Sequence, residues 1–117
     1  MAVTLKKYFL ALDLKDDQKR IDEYINYHQN VWPEINESIR SSGVHGAEIY
    51  NTANRLFMIL EVDETFSFEK KANMDADNPK VQEWEALMWK FQQALPNTPK
   101  GTKWVLMDKI YDLNNNR

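Results

Sequence analysis

The sequence predicts an α+β fold in which a β-α-β unit is used twice around a central hairpin, and three observations predict it. The stretches YFLALDL, ending at Leu14, and RLFMILEVD, from Arg55 to Asp63, are rich in β-forming residues and nearly continuous in apolar character. The turn formers Asn51-Thr52-Ala53-Asn54 separate the second stretch from another strand-like segment just before it. On each side of this hairpin lies a longer stretch in which apolar residues recur at helical spacing.

Taken in order, Lys7 to Leu14 is the first strand. After the charged turn Lys15-Asp16-Asp17, the residues Ile21, Tyr24, Ile25 and His28 recur at i, i+3, i+4 and i+7 and predict a helix from Asp17 to Asn30 with this stripe facing the sheet. Pro33 opens a second helical piece through Ile35 and Ile39, which Gly43 closes. Val44–Tyr50 and Arg55–Asp63 form the antiparallel hairpin, and Phe66 to Asp77 is helical with weak periodicity. Asn78 is the cap and Pro79 the first residue of a helix to Leu95, with Val81, Trp84, Met88, Phe91 and Leu95 along one face. Pro96 to Gly101 is a loop, Lys103 to Leu113 the last strand, and residues 114–117 a frayed tail. The resulting order, β-α-β-β-α-β, is the ferredoxin-like one, and residues 1–117 read as a single domain of ordinary size. Helices on one face of a four-stranded sheet leave the other face to be buried. The apolar strands therefore predict a homodimer packed sheet against sheet, a dimeric α+β barrel.

Composition narrows the function. Apolar residues make up 43% of the chain and charged residues 28%, which are globular proportions. The net charge is −3 with both signs interspersed, so there is no basic stripe for nucleic acid. The chain has no cysteine, which removes disulfides, thiol catalysis and sulfur-ligated metals. The apolar run near the N-terminus, Tyr8 to Leu12, is too short for a signal or membrane segment, so no membrane partner and a cytoplasmic location are expected. The three glycines are isolated, with no phosphate-cradling loop, and the two histidines form no HxH or HxxxH pair. No cofactor and no metal are expected.

His28 is the first candidate for chemistry, because it shares its stripe with Tyr24 and an imidazole titrates near neutral pH. A core histidine satisfied by a backbone carbonyl competes with that reading; a phenol one turn away makes a polar pocket an equal alternative. His45, on a strand, reads as a solvated surface residue. Trp84 and Trp89 lie roughly 140° apart on an ideal helix, so both cannot face inward, and Trp84 reads from periodicity as core packing. Glu61 and Asp13 interrupt apolar runs and need partners, for example Arg55 or Lys109.

The pattern Tyr24-x-x-x-His28-x-x-Val31-Trp32-Pro33-Glu34, followed by Gly43-Val44-His45, Glu48-Ile49-Tyr50, Leu56-Phe57 to Glu61 and Val81-Gln82-Glu83-Trp84, resembles the L-rhamnose mutarotase family over nearly the whole chain. The resemblance implies a dimeric ferredoxin-like protein that interconverts the α and β anomers of a 6-deoxy L-hexose without a cofactor. L-Rhamnose is the first substrate it implies and L-fucose the alternative. It also implies that His28 is the general acid protonating the ring oxygen, that Tyr24 orients that oxygen or the sugar hydroxyls, and that Trp84 stacks on the ring. Two positions depart from the family pattern. A second sugar-contacting tyrosine falls on Ala47, with Tyr50 three residues later as the substitute, and the family's tryptophan pair is Trp84-Glu85 here, leaving Glu85 or a water as the base. Two readings of other classes share the architecture: a dimeric α+β barrel oxygenase or haem-handling enzyme, and a non-catalytic sugar-binding domain.

Overall fold

The computed structural model describes residues 4–115. Its elements run β1 (Lys6–Leu14), α1 (Gln18–Tyr27), α2 (Pro33–Ser41), β2 (Val44–Thr52), β3 (Arg55–Val62), α3 (Phe68–Ala76), α4 (Pro79–Trp89), β4 (Gln92–Gln93), β5 (Val105–Leu106) and a 3₁₀ turn, Leu113–Asn115. Local chemistry sets several of these ends. Asp17 caps α1 by accepting from the Lys19 amide at 3.0 Å, Ser67 caps α3 through the Lys70 amide, and Asn78 accepts from both Lys80 and Val81 at the start of α4. Gly43 ends the α2 connection at φ +100°, where a β-carbon would lie 2.7 Å from Thr65 Oγ1.

The sheet is antiparallel throughout, in the order β2-β3-β1-β4, with β5 also paired to β1. This is the ferredoxin-like topology. Register decides which side chains share a face. Leu10, Leu12, Leu14, Leu56 and Leu60 point toward the helices and are buried with Ile21, Tyr24, Ile35, Val81, Trp84, Met88 and Phe91. Phe9, Ala11, Phe57 and Ile59 line the opposite face, where the Phe9 ring stacks on Phe57 at 6.0 Å. These residues are only half-buried, so the expected cover on both faces is not supplied within one chain.

Three other expectations are corrected. The last long helix stops at Trp89 instead of Leu95, because the free edge of β1 captures the chain: Lys15 donates to the Phe91 carbonyl at 2.8 Å and Gln92 pairs with Leu14. The final strand is reduced to Val105–Leu106 plus one further bond, Met107 N–H to the Phe9 carbonyl at 2.8 Å; the chain then leaves β1, and Ile110, Tyr111 and Leu113 are exposed. Helix α1 is shorter than Asp17 to Asn30, and its inward stripe continues through Tyr27 and His28 and leaves Ile25 exposed. Of the predicted frayed tail, 114–115 belong to the 3₁₀ turn and 116–117 lie outside the described residues.

Asp13 finds the partner expected of it, in a two-pronged pair with Arg55 at 2.8 and 3.2 Å. Glu61 does not pair with Arg55 or Lys109; Lys7, its cross-strand neighbour, is its partner at 3.9 Å. Among the described residues no helix is long and apolar enough to cross a membrane.

Candidate functional site

Helix α1 ends where its chemistry begins. His28 is the C-cap, and its backbone N–H reaches the carbonyls of Tyr24 and Ile25. Its ring Nδ1 lies 2.8 Å from the same Tyr24 carbonyl. A carbonyl oxygen can only accept, so Nδ1 carries the proton, and Nε2 of the neutral ring keeps a free lone pair. Burial pushes the His28 pKa below its ordinary 6.5, outweighing the bond to Tyr24, which pulls it up. The neutral imidazole is therefore the favoured form near pH 7.

Tyr24 packs its ring against that imidazole, centroids 4.3 Å apart, and is only 2% exposed. Its hydroxyl accepts from Gln92 Nε2 at 3.4 Å. Burial drives the phenol up to about 12, with the Gln92 bond opposing, so Tyr24 stays protonated across the physiological range.

The wall of the cluster comes from the other helices. Trp84 of α4 lies edge-on to His28 (5.7 Å), Trp32 (5.0 Å) and Tyr27 (6.3 Å). Trp32 is the residue before Pro33 at the head of α2, and Lys80 Nζ sits 5.2 Å above its ring. Tyr27, His28, Val31 and Trp32 are half-exposed, so the cluster meets solvent along the α1–α2 junction. Two open hollows of about 390 and 630 Å³ lie over α3 and on the outer side of α1 and contain none of these residues.

The structure thus brings together three of the residues singled out in the sequence: His28, Tyr24 and Trp84. Two others stand elsewhere. Glu85, one position further along α4, is turned roughly 100° from Trp84. Its carboxylate is 3.6 Å from Lys103 Nζ, which also lies over Trp89. Tyr50 pairs in register with Phe57, on the sheet face away from the helices, and is half-exposed against the Phe57 ring. His45 is exposed as expected, yet its Nε2 is 2.7 Å from Asp63. Asp63 is held down at about 2 by the Thr65 hydroxyl first, then by His45 and the Thr65 amide.

Sequence reasoning missed Tyr27, Trp32 and Gln92 as neighbours of the site. Trp32 was visible in the VWPE motif without a role. Gln92 carries no signal of its own, because it falls beside Phe91, within a segment whose apolar spacing fits a helix. Among the described residues no three His, Asp or Glu side chains gather as metal ligands would.

Topology and cluster together define a ferredoxin-like chain that holds an imidazole and a phenol, in complementary protonation states, against an aromatic wall. Comparison with known proteins carries this further. The model of the family described as L-rhamnose mutarotase matches residues 7–113. The chain is 38% identical over 113 residues to the L-fucose mutarotase of Xanthomonas campestris pv. campestris, covering 95% of this chain and 90% of that protein. It is 30% identical over 93 residues to the L-rhamnose mutarotase of Bacillus subtilis, covering 78% and 82%. Its fold is shared by the crystal structure of an L-rhamnose mutarotase from Formosa agariphila (TM-score 0.66, 21% identity, 92% and 98% covered). A dimeric ferredoxin-like protein from an uncultured marine organism shares it as well (TM-score 0.53, 14% identity, 95% of each chain). The chain belongs to the L-rhamnose mutarotase family, and it is an isomerase that interconverts sugar anomers.

Proposed function

We propose that the protein exchanges the α and β anomers of a 6-deoxy L-hexose by acid–base chemistry at His28 and Tyr24, with no cofactor. The observation that carries this reading is the bond from His28 Nδ1 to the Tyr24 carbonyl, which leaves a basic Nε2 beside a phenol that keeps its proton. Ring opening needs one group of each kind. His28 Nε2 takes the proton of the anomeric hydroxyl, the bond from the anomeric carbon to the ring oxygen breaks, and the ring oxygen receives the Tyr24 proton. The aldehyde rotates. Closure on its other face returns one proton to the new anomeric oxygen from the imidazolium and one from the former ring oxygen to Tyr24. In this scheme His28 begins as the base, the reverse of the role that the resemblance implies for it, and Glu85 is not required.

The half-exposed Trp32 and the buried Trp84 offer the apolar side of the sugar an aromatic wall. L-Fucose is favoured over L-rhamnose: the relative named for it is the more similar of the two reported, and Glu85 stands where the rhamnose pattern has a second tryptophan. The whole chain acts as one catalytic domain on a free sugar in the cytoplasm. A homodimer covers the open sheet face, and two features support it: the half-buried Phe9, Phe57 and Ile59, and the apolar side chains of Ile110, Tyr111 and Leu113 left bare at the C-terminal end.

Saturation-transfer NMR on the anomeric protons of L-fucose and L-rhamnose tests the activity. Wild type accelerates exchange, and His28→Gln loses on the order of 10²-fold or more. Full activity in a folded His28→Gln protein would overturn the assignment, and sugar binding without exchange would make this a binding domain.

A further inference from the structure

Three polar or charged residues are buried among the described ones: Asp13, Ser42 and Gln92. Two have evident structural partners, since Asp13 is paired with Arg55 and the Ser42 hydroxyl donates to the Ile39 carbonyl at 2.6 Å. Gln92 is different. It stands on the helix-facing side of the sheet in register with Leu14, in a layer otherwise built of Leu12, Leu14 and Leu56. An apolar side chain would pack there without the cost of desolvating an amide. Only 7% of Gln92 is exposed, and its side-chain amide meets the Tyr24 hydroxyl.

We propose that Gln92 is a positioning residue for the exchange reaction: its amide donates to one lone pair of Tyr24 Oη from the sheet side, leaving the Tyr24 proton directed toward the sugar. A tyrosine hydroxyl has one proton to give and two lone pairs. With one lone pair held by an N–H, the proton is left to point away from Gln92. The main chain fixes the donor, because β4 pairs with Asp13 and Leu14 and the neighbouring Phe91 carbonyl accepts from Lys15. The 3.4 Å separation is at the long end for such a bond, as is common before substrate tightens an active site. This inference rests on the mutarotase reading of His28 and Tyr24.

The test is a double-mutant cycle read by anomer exchange on wild type, Gln92→Met, Tyr24→Phe and the double variant. Methionine conserves volume and removes the donor. Gln92→Met keeps its thermal midpoint and lowers kcat about 2- to 10-fold at unchanged KM. In the Tyr24→Phe background it lowers nothing further, because its effect passes through the hydroxyl. Gln92→Glu, assayed at a pH where the buried glutamate is ionised, places an acceptor-only carboxylate beneath Tyr24, draws the proton into the sheet and falls to the Tyr24→Phe level. Equal losses from Gln92→Met with and without the Tyr24 hydroxyl would show a merely structural role. Retained activity in Gln92→Glu with the glutamate ionised would show that the amide accepts instead of donating. Either result overturns the proposal while leaving the mutarotase reading intact, whereas a wild type without exchange overturns both.

Discussion

The protonation state of His28 can be tested through stability as well as through rate. Burial lowers its pKa in the folded chain below 6.5, so between the folded value and 6.5 the unfolded chain binds more protons. Folding stability therefore rises with pH through that window, is fully present above it, and is lost as pH falls toward the folded value. One proton limits the slope to about 1.4 kcal/mol per pH unit, and the half-exposed ring should show only part of that. The assay is urea denaturation of wild type and His28→Gln at a series of pH values, because the difference between them isolates this imidazole from His45 and the carboxylates. Tyr24, the nearest titratable neighbour, stays protonated throughout and adds nothing. The rate should follow the same group: log kcat/KM declines with unit slope on the acid side, with a midpoint below 6.5. A midpoint above 6.5, or a wild type that gains stability over His28→Gln on acidification, would show that the fold favours the imidazolium. His28 would then be the acid and the scheme derived above would be reversed.

Other perturbations probe the frame around the site. Leu56→Ala, at a position 1% exposed beneath α1 and α4, should cost about 2–5 kcal/mol and lower the thermal midpoint by roughly 8–20 °C, read by calorimetry. Thr65→Val removes the strongest influence on Asp63, so its carboxyl should titrate in carbon-13 NMR above its present value of about 2, toward 3.8. The stability that Asp63 contributes above 3.8 would then be lost over a narrower acid range. Ile110→Glu, at a side chain 95% exposed in one chain, should leave the single chain folded and shift sedimentation from dimer to monomer; a monomeric wild type would contradict the proposed dimer.

What the sequence disclosed and what it hid follow from the range of the interactions involved. The hairpin was legible because the turn at Asn51 to Asn54 and the β-forming composition of its strands are local, and Tyr24 and His28 were legible as a pair because i and i+4 share a helix face. The end of α4 was not, because Phe91 and Leu95 fit a helical stripe as well as a strand; what decides is the edge of β1, whose Leu14 comes from the opposite end of the chain. Gln92 was hidden for the same reason. The side on which Tyr50 falls is set by pairing and not by local pattern: on a strand, neighbouring residues face opposite sides, and the register with Phe57 turns it away from the helices. The bareness of Ile110 and Leu113 was not legible either, since patterning shows that a segment has an apolar face and not which surface covers it.

The group that orients the imidazole is the carbonyl of Tyr24, a main-chain atom. Many acid–base histidines are held by a carboxylate side chain, and a single substitution there can leave the ring in the wrong tautomer. Here no substitution of a side chain deletes the orienting oxygen, so the tautomer is set by the course of the backbone at the end of α1. Mutational drift can change the aromatic wall around the ring, and with it the sugar preferred, without unsetting the base. Conversely, an inserted or deleted residue between Tyr24 and His28 would turn the ring by about 100° about the helix axis and separate it from that carbonyl even though both side chains survived.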